Sequence, residues 1–402
     1  MPAAPATNDQ SAFARLLRPS ALRQLLSAPS TRVRLSLAGG LPPDSAMPFD
    51  AVAEVVATLM SKRDSSALQY SSAEGDHRLR EAIAAWVSPG LGRPVDAGSI
   101  IVTTGTQQAL DLLARILLDP GDDAVVESPT YVGALRVIAP TGARICEIGV
   151  DDDGLDVDIL EARLLGGLRP KLVYLVANFS NPSGATISAA RRHRLIDLAE
   201  RFRFVIIEDD QYGRLRFAGM DQPAIASLTG HANTRTVYLS GFSKVVAPGL
   251  RVGFCVLPDW LRRSVTLAKQ ATDLAAQSLG QRVITELLAR PAWLDEHIAT
   301  VRQTYRSHAA ALLAGIDESL DGRLTVRRPK GGMFTWATIR HPDIDAVELA
   351  RRSLERGLLI MPGSEFSLAD RFPQELRLSF SNSTPEQLGE ACAVMAAAFD
   401  DR

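Results

Sequence analysis

Seven short runs of β-branched and aliphatic residues, most of them separated by helical patterns, constrain the fold of this chain most strongly. Several runs are uninterrupted, as at 172–176 and 204–207. Strands that are buried on both faces have this composition because neither face meets water. Helices between consecutive strands favour parallel pairing. The pattern predicts an α/β fold whose mainly parallel, seven-stranded sheet is flanked by helices. The runs are 100–102, 124–126, 144–148, 172–176, 204–207, 236–239 and 253–257.

The length of 402 residues is too great for one small domain and indicates more than one core. The pattern changes near Arg290-Pro291, where a long helix begins (Trp293 to about Ile316), followed by two or three strands and a helix from Pro385. We expect residues 1–45 to form an arm with a short helix, starting near Ser20, that packs on the small domain. Residues 46–290 should form the large domain, and residues 291–402 a smaller α+β domain.

The composition argues against several classes of partner. A formal net charge of −2 gives no electrostatic reason to expect nucleic acid or an anionic membrane. No apolar run reaches 18 residues, and the first ten residues contain no signal-peptide pattern. The three cysteines and six histidines show no metal-ligand spacing. We therefore expect a cytoplasmic protein without a metal, a nucleic-acid partner or a membrane segment.

Two strand ends carry turns that could bind a ligand, since ligand sites of open α/β sheets collect at such ends. Thr103-Thr104-Gly105-Thr106-Gln107 follows the first strand and opens a helix. A glycine turn at a helix N-terminus leaves backbone N–H groups free, which suits a phosphate. An ordinary turn capped by a threonine explains the same residues. Asn181-Pro182-Ser183-Gly184 is likewise compatible with a simple turn.

Two further strand ends carry charged groups. Asp209, within Glu208-Asp209-Asp210, ends the most hydrophobic strand, and a buried carboxylate there needs a cation or hydrogen-bond donors. A solvated acidic loop or a magnesium site are the alternatives. Lys244 follows another strand, and between apolar strands its amine should have the lowered pKa that a Schiff-base lysine requires. A solvated lysine is the alternative reading.

The order of these four features resembles that of the class I/II, fold-type-I aminotransferases, which depend on pyridoxal 5'-phosphate (PLP). The branch it resembles includes 2-aminoadipate aminotransferases and the effector domains of MocR-type regulators. The resemblance runs from about residue 18 to the C-terminus. Its motifs are matched by Ala38-Gly39-Gly40-Leu41-Pro42, Gln69-Tyr70 with Gly75 and Leu79-Arg80, Asn181-Pro182-Ser183-Gly184, Pro248-Gly249-Leu250-Arg251-Val252-Gly253, Pro329-Lys330-Gly331-Gly332-Met333-Phe334 and Arg377-Leu378-Ser379-Phe380.

The resemblance implies a role for each polar residue around the cofactor ring. Lys244 would form the Schiff base with PLP and then move the proton at the substrate Cα. Asp209 would pair with the pyridine nitrogen and keep it protonated. Asn181 and Tyr212 would hydrogen-bond the 3'-oxygen, and Tyr131 would stack on the ring.

The resemblance also implies how phosphate and substrate are held. The phosphate would meet Ser243, Arg251 and, in a homodimer, Tyr70 of the neighbouring subunit. Arg377 would bind the substrate α-carboxylate as a bidentate pair, beside Asn181 and Gly40. Arg23 corresponds to an arginine near the distal group of an acidic substrate, although a solvated helix arginine is the alternative. The backbone of the turn would also bind the phosphate, at Gly105, Thr106 and Gln107.

Three departures from the family pattern put the identity of the substrate in doubt. Gly241 stands where a serine or threonine usually precedes the lysine by three positions, and Ser240 could replace the missing hydroxyl. Val245-Val246 stands in place of Thr-Leu, and Asn178-Phe179-Ser180 in place of Asn-Phe-Gln.

The sequence thus predicts a PLP-dependent aminotransferase that moves an α-amino group from an amino acid to a 2-oxo acid by a ping-pong mechanism. A β-lyase, racemase or decarboxylase would use the same lysine, aspartate and arginine. A PLP-binding regulator is less favoured, because only about 20 residues precede the first family motif, too few for a winged-helix domain.

Overall fold

The computed structural model describes residues 11–17, 33–229, 235–369 and 371–400. Its strands, in chain order, are β1 (Leu35–Ser36), β2 (Ile100–Thr103), β3 (Asp123–Ser128), β4 (Arg144–Asp151), β5 (Gly154–Leu155), β6 (Pro170–Val176), β7 (Val205–Asp209), β8 (Thr236–Gly241), β9 (Gly253–Val256), β10 (Leu324–Val326), β11 (Phe334–Ile339), β12 (Leu358–Leu359), β13 (Met361–Pro362) and β14 (Glu375–Ser379).

Its helices alternate with the strands through most of the chain. They are α1 (Ala12–Leu16), α2 (Phe49–Ser61), α3 (His77–Val87), α4 (Thr106–Leu117), α5 (Val132–Ile138), α6 (Val157–Leu165), α7 (Ala189–Phe202), α8 (Ile225–Leu228), α9 (Asp259–Asp273), α10 (Ser278–Leu288), α11 (Pro291–Ser319), α12 (Ala346–Glu355) and α13 (Pro385–Phe399). The helix predicted to start near Ser20 lies outside the described residues.

The large sheet has the strand order β2-β9-β8-β7-β6-β3-β4-β5. Strands β4, β3, β6, β7 and β8 are mutually parallel, and β9 runs antiparallel to both β8 and β2. The seven predicted strands are all present. The two-residue strand β5, too short to show a periodic pattern, extends the sheet to eight by pairing with β4.

The central strands are buried on both faces, as their unbroken apolar runs predict. In β6, Leu172 and Tyr174 belong to the main hydrophobic core, while Val173 and Leu175 belong to a second core on the opposite face. All four side chains are fully buried. Alternation of side chains along a strand therefore divides one apolar run between the two helical layers that cover the sheet.

A second, smaller sheet follows the long helix α11. Its four antiparallel strands have the order β10-β11-β14-β13, and α11 packs against the last helix, α13. The N-terminal segment reaches this region through β1, whose Leu35 pairs in parallel with Leu358 of β12. The smaller part thus contains more strands than the two or three expected, because β12 and β13 have only two residues each.

The topology brings several strand ends to one edge of the large sheet. The parallel pairing of β6 and β7 places Val176 beside Asp209. Gly241, the last residue of β8, pairs with Gly253 of β9, which in turn pairs with Thr103 of β2. The features predicted from separate stretches of sequence therefore share one edge. No helix among the described residues is long and apolar enough to span a bilayer.

Candidate active site

A cavity of about 360 Å³ opens at this edge of the sheet. It collects all but two of the side chains and turns predicted for the site. The exceptions are Tyr70, which does not line it, and Arg23, which lies outside the described residues. The predicted residues that line the cavity are Gly40, Gly105, Thr106, Gln107, Tyr131, Asn181, Asp209, Tyr212, Ser243, Lys244, Arg251 and Arg377.

Asp209, the last residue of β7, is the only carboxylate among the residues described as lining the cavity, and it is 4% exposed. Tyr174 donates its hydroxyl to Oδ2 at 2.9 Å, and Gln211 donates Nε2 to Oδ1 at 3.1 Å. Burial raises the pKa of Asp209 to about 6, against the opposing effect of these two donors. Asp209 is therefore held by neutral groups and is available to a cationic partner.

Sequence reasoning missed both donors to Asp209. Tyr174 is one more large residue in an apolar strand, and Gln211 reads as an ordinary loop residue after the acids. Only the register of β6 against β7, which places Tyr174 opposite Ile207, two residues from Asp209 and on the same face, reveals the first contact.

Lys244 lies three residues beyond the end of β8, on a turn whose Phe242 packs against Trp86 and Phe254. Its Nζ donates to the backbone oxygen of Gly40 at 2.8 Å. Burial lowers the pKa of Lys244 to about 8, and the charges of Arg251 and Arg377 act in the same direction. The neutral, nucleophilic form of its amine is therefore far more populated near neutral pH than in an ordinary lysine.

Arg377, on β14 of the smaller sheet, reaches the opposite wall of the cavity and is 8% exposed. Its Nη1 donates to Oδ1 of Asn181 at 2.9 Å, and its Nη2 donates to the backbone oxygen of Ala38. Its Nε has no hydrogen-bond partner among the described residues. Burial lowers the pKa of Arg377 to about 10. Such a cation, stacked 4.3 Å from the Phe334 ring, is suited to an incoming anion.

The turn before α4 offers a second anion site. Gly105 adopts a φ of +74°, and a Cβ at this position would lie 2.4 Å from Nη2 of Arg251. Glycine thus provides both the backbone conformation and the space for the guanidinium, which donates to the oxygen of Thr104 at 3.0 Å. Among the described residues, no side chain caps the N-terminus of α4. Its first N–H groups, at the positive end of the helix dipole, remain available to a phosphate.

The structure explains why Gly241 lacks the usual hydroxyl. A Cβ there would lie 3.1 Å from Cα of Gly253 and 3.2 Å from the oxygen of Val252, and a Cβ at Gly253 would lie 2.6 Å from the carbonyl carbon of Gly105. The prediction that Ser240 replaces the hydroxyl is wrong. Its Oγ donates to the backbone oxygen of Asp210 at 2.9 Å, and Ser240 does not line the cavity.

The other unusual residues support the site from behind. Ser180, the residue that departs from the Asn-Phe-Gln pattern, donates its hydroxyl to Oε2 of the buried Glu127 at 3.1 Å. Asn178, which matches the pattern, donates to Oδ1 of Asp210 at 2.9 Å and accepts from Arg192 at the same distance. Arg192 is itself fully buried beside Glu208, at 3.5 Å. Val245 and Val246 are buried in the main core. These departures from the family pattern belong to the packing around the strand ends.

The charges of the cavity fit PLP together with an amino acid. Lys244, Arg251 and Arg377 oppose the single carboxylate of Asp209 among the described lining residues. A cofactor phosphate at the Gly105 turn and a substrate carboxylate at Arg377 would neutralise this excess. Asp209, the carboxylate described in the lining, would meet the protonated ring nitrogen.

Comparisons with known proteins agree with this arrangement. Residues 35–395 match the model of the family described as aminotransferase class I and II. An aromatic-amino-acid aminotransferase of Thermococcus litoralis is 34% identical over 384 residues, covering 94% of this chain and 91% of the relative. A 2-aminoadipate transaminase of Thermus thermophilus is 34% identical over 375 residues, or 93% and 92% of the two chains. A kynurenine aminotransferase of Pyrococcus horikoshii, solved in complex with PMP, superposes with a TM-score of 0.90 at 34% identity, covering 97% of this chain and 96% of that one.

Proposed function

The chain belongs to the class I and II aminotransferase family and is a PLP-dependent aminotransferase, and we propose that its amino donors carry an aromatic or other apolar side chain. In this proposal Lys244, Asp209 and Arg377 are the residues on which the reaction depends.

One observation carries the assignment of the substrate site: the buried Arg377 has no carboxylate partner among the described residues and keeps one free donor, Nε. Burying an unpaired cation is costly, so a protein keeps one where a ligand supplies the opposite charge. The α-carboxylate of an amino acid meets the guanidinium in bidentate geometry. Arg377 would then fix the α-carbon between itself and Lys244.

The other residues around the cofactor have separate roles in the reaction. When bound, PLP supplies an electron sink for the bonds at the substrate α-carbon. Asp209 holds the proton on the ring nitrogen by its negative charge. Lys244 removes the proton from the α-carbon and returns a proton on the cofactor side, for which a pKa near 8 suits it. Asn181 and Tyr212, which line the cavity, would orient the cofactor by hydrogen bonds, and Tyr131 would pack against its ring.

The space left for the donor's side chain is mainly apolar. Leu41 and Phe334 line the cavity beyond the groups already assigned, and all three cations described there have been used. The names of the relatives agree with both an aromatic donor and 2-aminoadipate. For an acidic donor Arg23 would have to supply the distal cation, so 2-aminoadipate is the second candidate.

A panel of amino donors with 2-oxoglutarate as acceptor tests the proposal directly. Aromatic and branched aliphatic donors should give the largest kcat/KM, and Arg23→Gln should leave those values unchanged. A strong preference for 2-aminoadipate that disappears in Arg23→Gln would overturn the apolar assignment in favour of the acidic one. A half-reaction that converts the donor without forming pyridoxamine phosphate would instead indicate lyase, racemase or decarboxylase chemistry.

Lys244→Ala tests the site itself. This variant should lose the visible absorbance of the lysine-linked cofactor and almost all turnover, since it lacks both the attachment point and the proton carrier. A variant that kept the absorbance band and normal turnover would show that another residue holds the cofactor.

We also propose a homodimer in which Tyr70 completes the partner's phosphate site. Tyr70 is 83% exposed, and the neighbouring apolar side chains Leu68 and Leu274 are 74% and 64% exposed. Ser278 Oγ donates to the Gln69 oxygen, tying this segment to the start of α10, next to Leu274. Exposed apolar groups gathered in this way mark a protein–protein contact.

Mixing two impaired variants tests whether Tyr70 acts across the dimer. A mixed dimer of Lys244→Ala and Tyr70→Ala chains would contain one site with both residues intact, so activity should return on mixing. No recovery, with mixed dimers demonstrated by mass, would show that Tyr70 does not serve the partner's site.

The remaining expectations concern organisation and location. We propose that residues 46–290 and 291–402 act as a large and a small domain, with residues 1–45 as an arm. Location in the cytoplasm is proposed because Cys146, Cys255 and Cys392 are all unpaired.

A further inference from the structure

A buried ion pair lies directly behind the turn that we assign to the phosphate. Lys269 and Asp273 are one helical turn apart near the end of α9, with Lys269 Nζ 2.8 Å from Oδ1 and 3.0 Å from Oδ2 of Asp273. The Lys269 side chain is fully buried, and that of Asp273 is one-quarter exposed. Neither residue lines the cavity. The pair therefore reaches the cofactor only through other residues.

The carboxylate of Asp273 contacts the phosphate turn through two side chains. Its Oδ2 accepts from Nε2 of Gln108 at 2.7 Å and from Oγ1 of Thr104 at 3.3 Å. Gln108 in turn accepts at Oε1 from the backbone N–H of Thr104 at 2.8 Å, and Lys269 Nζ lies 3.4 Å from the same oxygen. A single carboxylate thus fixes the orientation of the Gln108 amide and of the Thr104 side chain.

Thr104 is consequently held on three sides. Oε1 of Gln108 accepts a hydrogen bond from its N–H, and Oδ2 of Asp273 accepts one from its hydroxyl. Arg251 donates to its carbonyl oxygen at 3.0 Å. The next residue, Gly105, has a positive φ and directly precedes α4, whose first residues line the cavity. Fixing Thr104 therefore fixes the start of α4, and it also fixes one contact of the Arg251 guanidinium.

The chain beyond Asp273 is itself constrained. Leu274 has φ +61° and ψ −54°, and the Ala275 N–H donates to the Asp273 oxygen at 2.6 Å, which closes a tight three-residue turn. A leucine in this conformation is strained and persists only where its surroundings hold it. The turn ends α9 at Asp273, so the carboxylate stays level with Thr104.

We propose that Asp273, neutralised by Lys269, is a positioning residue that holds the Thr104–Gly105 turn in the shape that binds a phosphate monoester. The inference rests on the assignment of this turn to the cofactor phosphate in the proposed function. Its specific content is that an ion pair outside the cavity determines phosphate affinity and leaves the recognition of the amino acid untouched.

The decisive variant is Thr104→Val, which removes the hydroxyl from Asp273 and keeps the shape of the side chain and the Lys269–Asp273 pair. The dissociation constant of PLP from the full chain should rise about threefold to tenfold, as expected for one lost hydrogen bond. The dissociation constant of pyridoxal, which lacks the phosphate, should not change. The KM of the amino donor at saturating PLP should also stay constant.

Asp273→Asn should have a larger effect in the same direction, and it should also lower the melting temperature, because Lys269 loses its counter-charge in a buried position. Asp259→Asn is the matched control: it makes the same change at the first residue of the same helix, where the side chain is 92% exposed. This control should leave the affinities for PLP and pyridoxal unchanged. If Asp273→Asn fails to fold, Thr104→Val still decides the question.

Equal weakening of PLP and pyridoxal in Thr104→Val, or no weakening of PLP, would overturn the inference. Arg251→Met separates this outcome from a failure of the proposed function, since Arg251 lines the cavity itself. If Arg251→Met weakens PLP far more than pyridoxal while Thr104→Val has no effect, the phosphate site stands and only the role of Asp273 is wrong. If Arg251→Met has no effect either, the phosphate assignment of the turn is wrong.

Discussion

Two buried arginines on opposite sides of the strand ends show how differently one side chain can be used. Arg192 is fully buried and donates at 2.9 Å to the oxygens of Ile187, Pro223, Ala177 and Asn178, with Glu208 at 3.5 Å. Arg377 is nearly as buried, yet it has two hydrogen-bond acceptors and a free Nε.

The difference shows which arginine stabilises the fold and which one binds a ligand. The charge of Arg192 is neutralised by Glu208, whose two oxygens also accept the backbone N–H groups of Ile225 and Ala226. Every polar group of that cluster is satisfied within the chain, so it stabilises the folded state only. The charge of Arg377 is neutralised only when an anionic ligand binds. Binding therefore relieves the free-energy cost of burying this unpaired guanidinium, and the relief contributes to affinity for an anion.

Arg192→Leu should have the largest effect on stability. It leaves Glu208 buried without a cation, which costs about 3–5 kcal/mol of unfolding free energy. Denaturant-induced unfolding of the cofactor-bound protein measures this loss. The double variant Arg192→Leu/Glu208→Leu should be less destabilised than the sum of the single variants, and strict additivity would show that the two charges do not interact.

Arg377→Leu should leave the stability of the cofactor-free chain unchanged or raised, because it removes a buried and unpaired charge. The KM of the amino donor should rise about 30-fold or more, since its carboxylate loses a charged partner. Comparing unfolding curves with steady-state kinetics checks both halves. A stability loss as large as that of Arg192→Leu would abolish the distinction between the two arginines.

Glu127 is a third buried ionisable residue, an acid with no cationic partner among the described residues. It accepts from the Val176 N–H and the Ser180 hydroxyl, is almost completely buried, and burial raises its pKa to about 8. Since the folded-state pKa exceeds the ordinary value of 4.5, its contribution to stability is full below about pH 4.5 and is lost as the pH rises toward 8.

Glu127→Gln therefore isolates this charge. The stability of the variant relative to the wild type should improve steadily between about pH 5 and 8, where the wild type must bury a carboxylate. Unfolding free energies across this range measure the difference. A constant difference between the two proteins would show that Glu127 does not change protonation on folding.

Gln211→Leu should have the smallest effect. Removing one of the two donors to Asp209 raises the pKa of Asp209 above its value of about 6. Because Asp209 must be anionic to hold the protonated ring, the acid limb of PLP affinity should move to higher pH, by about half a unit to one unit. A pH profile of PLP binding that coincides with that of the wild type would show that Gln211 does not affect the ionisation of Asp209.

The sequence predicted the parts of the site that sit at strand ends in a fixed order, such as Asp209 and Lys244. Local features, namely an apolar run and the polar residue that ends it, locate these residues, and the resemblance to the family implies their roles. It could not predict Gln211 or Tyr174 as partners of Asp209, nor Asp273 as the partner of Thr104. The last two are 169 residues apart, and their contact depends on how α9 packs against α4.

The close contact of Gly105, Gly253 and Gly241 limits how this site can evolve. Three backbone segments meet there: a Cβ on Gly253 would lie 2.6 Å from the carbonyl carbon of Gly105, and a Cβ on Gly241 would lie 3.1 Å from Cα of Gly253. A serine at position 241 would require the β8–β9 pair to shift by a few tenths of an ångström, whereas a side chain at position 253 would collide with the backbone of Gly105. Changes in cofactor affinity are thereby directed to neighbouring positions that already carry side chains, such as Ser243 and Thr106.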